Sequence, residues 1–494
     1  MARAMNPGGC TRVGREPTRR WFRRFGTAVG WVLGALVALG IPLALAGTQL
    51  ASQISGAYAP LDERSPVSVA PPPPAYDRDK PTAVVVVGVN GAEVSDVLGP
   101  YEVLAATGAM NVYVVSPVAQ AVPLTGPVDV LPHFTFDELE QLFGVARAPD
   151  VVVVPAMPDA GQLSNEPVMT WLREVHARGS MLLGVCNGSS ILAEAGLLKD
   201  RPATSHWIRF PGLRSTYPDV HWRESIRYVD DGDIITTGGL TSGIDGALRV
   251  VERVLGQGQA HQVAANIGWD RYHPGSPAPL TPSTLTIEAL IPVLNSTYRT
   301  DRQNLGVMLS PGVGEIELAS VMDPYAGQSF SADVSTVALD DVIETRNGLN
   351  LTARLPLSDA GQLDRLIVPG AAIDRKTIDQ ASQRVGLSPE YIHNGRAFPF
   401  EEGLADLATH TDDPTAQWAA KMLEFPIDPT REGADYLPWS VFVLPVSASL
   451  VSALLMFACW RLLRRGRRDA AELCHTVATP ERTPDGSQRK AAER

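Results

Sequence analysis

The sequence predicts an α/β protein built on a doubly wound parallel sheet and flanked by two transmembrane helices, and three observations carry that prediction. Runs of Val, Ile and Leu without a polar face, over residues 83–87, 150–154 and 181–185, alternate with segments of helical periodicity over 94–107, 136–143 and 168–178. Strands covered on both faces read as continuous apolar runs, and parallel strands need a crossover helix between them. The run 181–185 enters a tight Gly184-Val185-Cys186-Asn187-Gly188 turn, and a helical pattern follows over 189–198. That is a strand, an elbow and a helix. Finally, residues 25–50 and 437–460 carry no charge and lie beside arginine clusters. A span needs about 20 such residues.

In chain order, residues 1–25 form a basic tail with seven arginines and one acid, and 26–50 form the first membrane helix. Thr18-Arg19-Arg20-Trp21-Phe22 also resembles a twin-arginine export signal, with Ala44-Leu45-Ala46 as a candidate cleavage site. An uncleaved anchor is expected, because signal cores run to only about 7 to 15 residues. Residues 51–81, with Pro71-Pro72-Pro73-Pro74, read as an extended spacer. The first α/β domain spans 82–275. Its further elements are a strand at 111–115 and a last strand and helix at 234–236 and 243–255.

Residues 276–300 are rich in Pro, Ser and Thr and read as a linker. Residues 301–436 then repeat the first domain in part: 304–325 echo 83–104, with Glu317 opposite Asp96, and 364–370 echo 150–156. No second elbow is expected, since no cysteine lies between Cys186 and Cys459. The second membrane helix, 437–460, precedes an arginine-rich tail at 461–494.

At 494 residues the chain is too long for one ordinary domain. By the positive-inside rule both arginine-rich tails are cytoplasmic and the main domains extracytoplasmic. Residues 26–460 hold 26 basic and 48 acidic side chains. Such a surface repels nucleic acid, so DNA or RNA is not expected as a partner. Residues 380–391 resemble half of a helix-turn-helix, but acids follow them and the compartment is wrong. Of the four cysteines only Cys186 lies between the spans' outer ends, so no disulfide forms there. A lone thiol outside the cytoplasm is either buried or used.

In doubly wound sheets the site lies beyond the carboxyl ends of the strands. Asp96, Cys186 and the loop after Val154 all fall there. Cys186 also precedes a helix N-terminus, whose dipole and free N–H groups would stabilise a thiolate. Burial as packing is the simpler use of such a cysteine, and capping the 97–107 helix is the simpler use of Asp96. No nucleotide-binding or metal-binding motif is present, so neither a cofactor nor a metal is expected.

The segment 181–207 resembles the nucleophile-elbow segment of the ThiJ/PfpI superfamily, a branch of the class I glutamine amidotransferase-like fold. The resemblance extends through Ala203-Thr204-Ser205-His206-Trp207, residues 233–245 and Asp96-Val97-Leu98-Gly99-Pro100. Within the superfamily the blocks look like isocyanide hydratases and the sensor halves of AraC-type regulators. The resemblance implies a flavodoxin-like domain in which Cys186 is the nucleophile and Asp96 donates and accepts the proton. An acid beside a thiolate should have a raised pKa. His206 falls where many members carry a histidine able to act as base, although a structural role is equally open to it. The backbone N–H groups of Asn187 and of Ala156 or Met157 would form the oxyanion hole, with Gly99 at the substrate.

Two departures stand out. Asn187 replaces a usual Thr, and Pro155-Ala156-Met157 replaces a usual Gly-Gly, where Ala tolerates positive φ poorly. The implied activity is a cysteine-dependent hydratase or amidohydrolase acting on a small electrophile. The alternative is a non-catalytic sensor using the same pocket. Members commonly pair as dimers, so the second half is expected to serve the first as a partner within the chain, the alternative being a homodimer.

Overall fold

The computed structural model of the chain describes residues 16–58, 71–144, 147–277, 279–426 and 439–477. Ala46–Val441 forms one compact unit, and Met1–Leu45 with Phe442–Arg494 the other. Two helical stretches are long and apolar enough to cross a membrane: Leu36–Ala57, with mean hydropathy 1.4, and Ser440–Leu462, with 2.3. Both lie within longer helices, Glu16–Ala57 and Ser440–Val477.

Ala46–Val441 contains a seven-stranded sheet. Its order is Tyr228–Asp230, Ile234–Thr237, Met181–Gly184, Val151–Val154, Thr82–Val86, Asn111–Ser116 and Phe134–Thr135. All neighbours are parallel except Tyr228–Asp230, which runs antiparallel at the edge. Val84, Val85, Val152 and Val153 lose all exposure to solvent because helices cover both faces. Helices Val94–Ala105, Phe136–Phe143, Glu166–Ala177 and Ser242–Leu255 fall where the periodicity put them. Thr135 and Glu138 close a capping box at the start of Phe136–Phe143.

The second half repeats this plan. Its parallel sheet runs Leu355–Pro356, Asp333–Ala338, Asn304–Met308, Arg365–Val368 and Pro389–Tyr391. Thr82 pairs with Asn111 as Asn304 pairs with Asp333, and Ala83 with Val151 as Leu305 with Arg365. The two halves meet about a local two-fold. Strand Val128–Leu131 of one hairpin lies antiparallel to its counterpart Asn350–Ala353, with Val128 opposite Ala353 and Leu131 opposite Asn350. The helices Val94–Ala105 and Glu315–Met322 also exchange contacts. Ile316 N–H donates to Glu102 Oε2 at 2.6 Å, and Ser95 Oγ donates to Asp323 Oδ2 at 2.5 Å. The second half therefore is the first half's partner within the chain.

Two expectations are corrected. The 276–300 linker holds the helix Ile291–Tyr298, where Asn295 Nδ2 reaches Ser329 O and Thr415 Oγ1. The described end of the 51–81 spacer is packed down, with Pro74 O accepting from Tyr113 and Asp77 N–H bonded to Asn111. Residues 380–391, set aside above as a helix-turn-helix, finish the helix Arg375–Arg384 and form the sheet strand Pro389–Tyr391. No second elbow forms, because the strand Pro389–Tyr391 is followed by a helix only at Pro399–His410 and His393 does not take a positive φ, but the register locates its counterpart. Tyr391 lies opposite Val368 as Gly184 lies opposite Val154, so Ile392-His393-Asn394-Gly395 matches Val185-Cys186-Asn187-Gly188. Histidine stands there at the nucleophile's position.

Candidate functional site

The elbow is made by two local requirements. The chain must leave Met181–Gly184 and enter the helix Gly188–Glu194 within three residues, and Cys186 takes the turn at φ 54°. A non-glycine residue there is strained and persists only when its surroundings over-determine it. Cys186 N–H donates to Gly238 O at 3.0 Å, and the hydroxyls of Ser189 and Ser205 both donate to Cys186 O at 2.9 Å. At Gly188 a Cβ would stand 1.9 Å from Val154 O, so the helix can pass this close to the sheet only on glycine. His393 is not among the residues with positive φ. The strain is thus kept where the thiol is.

Asp96 sits in the first turn of Val94–Ala105, fully buried, and its Oδ2 accepts the Ala156 N–H at 3.0 Å. Ala156 avoids positive φ. Its N–H is committed to Asp96, so it is not an oxyanion donor, which corrects that expectation. Asn187 N–H is directed at the Cys186 sulfur, where it favours the thiolate. Met157 is buried, with its sulfur against Gly88. A Cβ on Gly99 would meet Ile244 Cγ1 at 3.6 Å, where its helix packs against Ser242–Leu255.

Burial pushes the Asp96 carboxyl up to about 8. The Ala156 N–H opposes this, Asp323 and Glu424 add to it, and the Cys186 thiol pulls it back. Asp96 is therefore protonated at neutral pH. Burial also pushes the Cys186 thiol well above its ordinary value, and Asp96 and Glu93 push the same way. The helix N-terminus was expected to stabilise a thiolate, but desolvation and neighbouring acids outweigh it. His206 is buried, and its Nε2 meets Met422 O at 2.8 Å. Burial lowers its pKa. Among the described residues no hydrogen bond joins it to Cys186, so the structure brings Asp96 to the thiol and ties His206 to the second half.

Sequence reasoning missed Glu93, Asp323 and Glu424. Glu93 lies three residues before Asp96 and could have been flagged as a helix-start acid. Asp323 and Glu424 come from the second half and had no local signal. Glu424 stands at φ 53° and accepts from Ser242 Oγ at 2.6 Å. Among the described residues, Glu390, Asp406 and His410 are close enough to share a metal ion, but Arg365 already bonds Glu390 at 2.5 Å and Asp406 at 3.1 Å.

A profile of the DJ-1/PfpI family matches residues 82–253. The isonitrile hydratase of Pseudomonas putida is 32% identical over 185 residues, which cover 37% of this chain and 75% of that protein. The chain belongs to the DJ-1/PfpI family. Its domain has the family's flavodoxin-like α/β fold with a parallel sheet, and Cys186 and Asp96 lie in the matched segment. The HTH-type transcriptional regulator CdhR of Pseudomonas aeruginosa is 28% identical over 193 residues, covering 39% of this chain but only half of the regulator. A solved ThiJ/PfpI family protein from Pseudomonas syringae has 26% identity and a TM-score of 0.34, over 40% of this chain and 77% of that one. DJ-1/PfpI relatives thus include both an enzyme and regulators.

Proposed function

We propose that the DJ-1/PfpI domain is a cysteine-dependent hydratase or amidohydrolase acting on a small electrophilic molecule. The observation that carries this reading is a thiol on a strained elbow residue with a protonated buried carboxyl beside it. In the proposed sequence Cys186 Sγ forms a bond to the electrophilic carbon. Asp96 gives its proton to the substrate and takes the one leaving the thiol. Water then adds at the same carbon, the C–S bond breaks, and the thiol regains its proton. One water is consumed, so an isonitrile, the substrate class named for the P. putida relative, would leave as an N-substituted formamide. The acid works in its neutral form, which suits a pKa near the operating pH.

The test is turnover of a small alkyl isonitrile by the purified full chain. Cys186→Ser should abolish it, and Asp96→Asn should lower kcat by about 10²-fold or more. Turnover unchanged in Cys186→Ser would end this reading. One observation favours a second reading as a non-catalytic sensor: Asp96 is closed off from solvent, Cys186 is only 9% exposed, and the thiol is held neutral. Ligand binding without turnover, retained in Cys186→Ser, is its signature.

We also place the two apolar helices in a membrane, with both arginine-rich tails cytoplasmic and the domains outside. Charge asymmetry supports this, because the arginines cluster beyond the runs while residues 26–460 are acidic. Labelling intact cells with an impermeant maleimide checks it: a cysteine introduced at Ser487 should stay unlabelled and one introduced at exposed Ser358 should react. The reverse pattern would refute the orientation.

A further inference from the structure

The second half brings the side chain of Glu424 to the Cys186 site on a strained stretch of backbone. The helix Asp413–Met422 ends in a closing turn, in which Glu424 N–H bonds Lys421 O at 3.2 Å and Phe425 N–H bonds Ala420 O at 2.9 Å. In such a turn the residue just past the helix takes a left-handed conformation, and glycine or asparagine ordinarily fills it. Here it is Glu424, at φ 53°. A residue with a Cβ is disfavoured there, so its retention implies a use for the carboxylate.

The surface that receives this carboxylate is bare. Gly238 and Gly239 directly follow the strand Ile234–Thr237, which pairs with the elbow strand, and Gly238 O accepts the Cys186 N–H at 3.0 Å. Neither glycine has a positive φ, so a left-handed backbone is not what requires them. Space is. A Cβ on Gly238 would collide with Glu424 Oε2, and one on Gly239 would collide with His206 Cδ2 and stand 3.2 Å from Glu424 Cδ. Ser242 Oγ donates to Glu424 Oε2 at 2.6 Å and holds the carboxylate on this floor.

The backbone that carries Glu424 is anchored on both sides. Met422 O accepts from His206 Nε2 at 2.8 Å and Leu423 O from Thr241 Oγ1 at 2.8 Å. Phe425 is buried, with the Arg271 guanidinium 4.6 Å from its ring centre. Glu424 itself is partly exposed, so its side chain can swing away while the stem stays in place.

We propose that Glu424 is a plug of the Cys186 site: its carboxylate occupies the glycine floor beside the thiol, and a ligand reaches the thiol by displacing it. This rests on the reading of the Cys186 surroundings as a ligand site, and does not depend on a reaction there. The floor lies beyond the carboxyl end of the strand Ile234–Thr237, where ligands enter doubly wound sheets. The plug also opposes the nucleophile by charge. Burial does most to keep the Cys186 thiol and the Asp96 carboxyl protonated, and Glu424 adds to the effect on each. The thiolate is the reactive form, so the seated carboxylate fills the approach and disfavours the species that would use it.

The experiment measures alkylation of Cys186 by neutral iodoacetamide in the full chain at one pH, followed peptide by peptide so that Cys10, Cys459 and Cys474 do not contribute. Glu424→Gly removes the carboxylate and suits the left-handed backbone. It should react at least about tenfold faster than the parent, as for a site open no more than about a tenth of the time, with an undiminished thermal midpoint. Glu424→Gln fills the same space without the charge and should react more slowly than Glu424→Gly. Ser242→Ala frees the carboxylate without altering its backbone and should react at least about threefold faster than the parent. An unchanged rate in Glu424→Gly overturns the proposal. Glu424→Gln reacting as fast as Glu424→Gly also overturns it, because charge rather than occupancy would then be what slows the thiol. Should Glu424→Gly lower the midpoint, Ser242→Ala decides, and the parent's rate in that variant overturns the proposal. Isonitrile turnover is read separately, so a thiol that is freed without turnover supports the plug while refuting the enzyme.

Discussion

At the scale of single residues, Asp96 is where local chemistry and stability pull apart. Its carboxyl is held at about 8 in the folded chain against 3.8 ordinarily. Between those values the unfolded chain has lost the proton that the folded chain keeps. The unfolded state therefore binds fewer protons there, and stability falls as pH rises from about 4 to about 8. Asp96→Asn keeps an oxygen for the Ala156 N–H and removes that penalty. At pH 8 it should be more stable than the parent by about 2 kcal/mol or more, with the gain vanishing near pH 4. Urea midpoints at the two values check this, and an equal difference at both would contradict it. That Asp96 mattered was legible in the sequence, from its place beyond the first strand. Its raised pKa was expected too, but from a thiolate beside it; the cause is burial, with Asp323 and Glu424 of the other half adding to it and the Cys186 thiol pulling it back.

At the scale of elements, the strands and helices of the first domain follow from pattern alone. Val84 to Val86 and Val151 to Val154 can only be strands covered on both faces, and Thr135 with Glu138 signs the start of the next helix. The hairpin Val122–Leu124 and Val128–Leu131 was not read, because it is short and its two strands serve the facing half rather than the main sheet. Neither was the place in the second half that corresponds to the elbow. Its four residues keep Asn394 and Gly395 but change the one residue type that a search for nucleophiles uses. The backbone records the same loss, since Cys186 holds a left-handed conformation and His393 does not. Strain of that kind is retained where a side chain must be presented, and relaxes once it need not be.

At the scale of the molecule, the paired halves make the first domain dependent on the second. The helix Val94–Ala105, the strand Val128–Leu131 and the turn that receives Glu424 are all covered by it. Residues 58–275 expressed alone should therefore aggregate or pair with a second copy through the exposed helix and hairpin, as size-exclusion chromatography with light scattering would report. A stable monomer would count against the interdependence. The sequence by itself determined the α/β class, the elbow at Cys186, the acid at Asp96, and two runs apolar enough to span a membrane. These are properties of local periodicity and spacing, which a chain displays before it folds. Only the tertiary structure decided that the Ala156 N–H is taken by Asp96, that His206 faces Met422, and that Glu93, Asp96 and Asp323 meet. Those depend on residues far apart in sequence becoming neighbours in a medium that water does not screen.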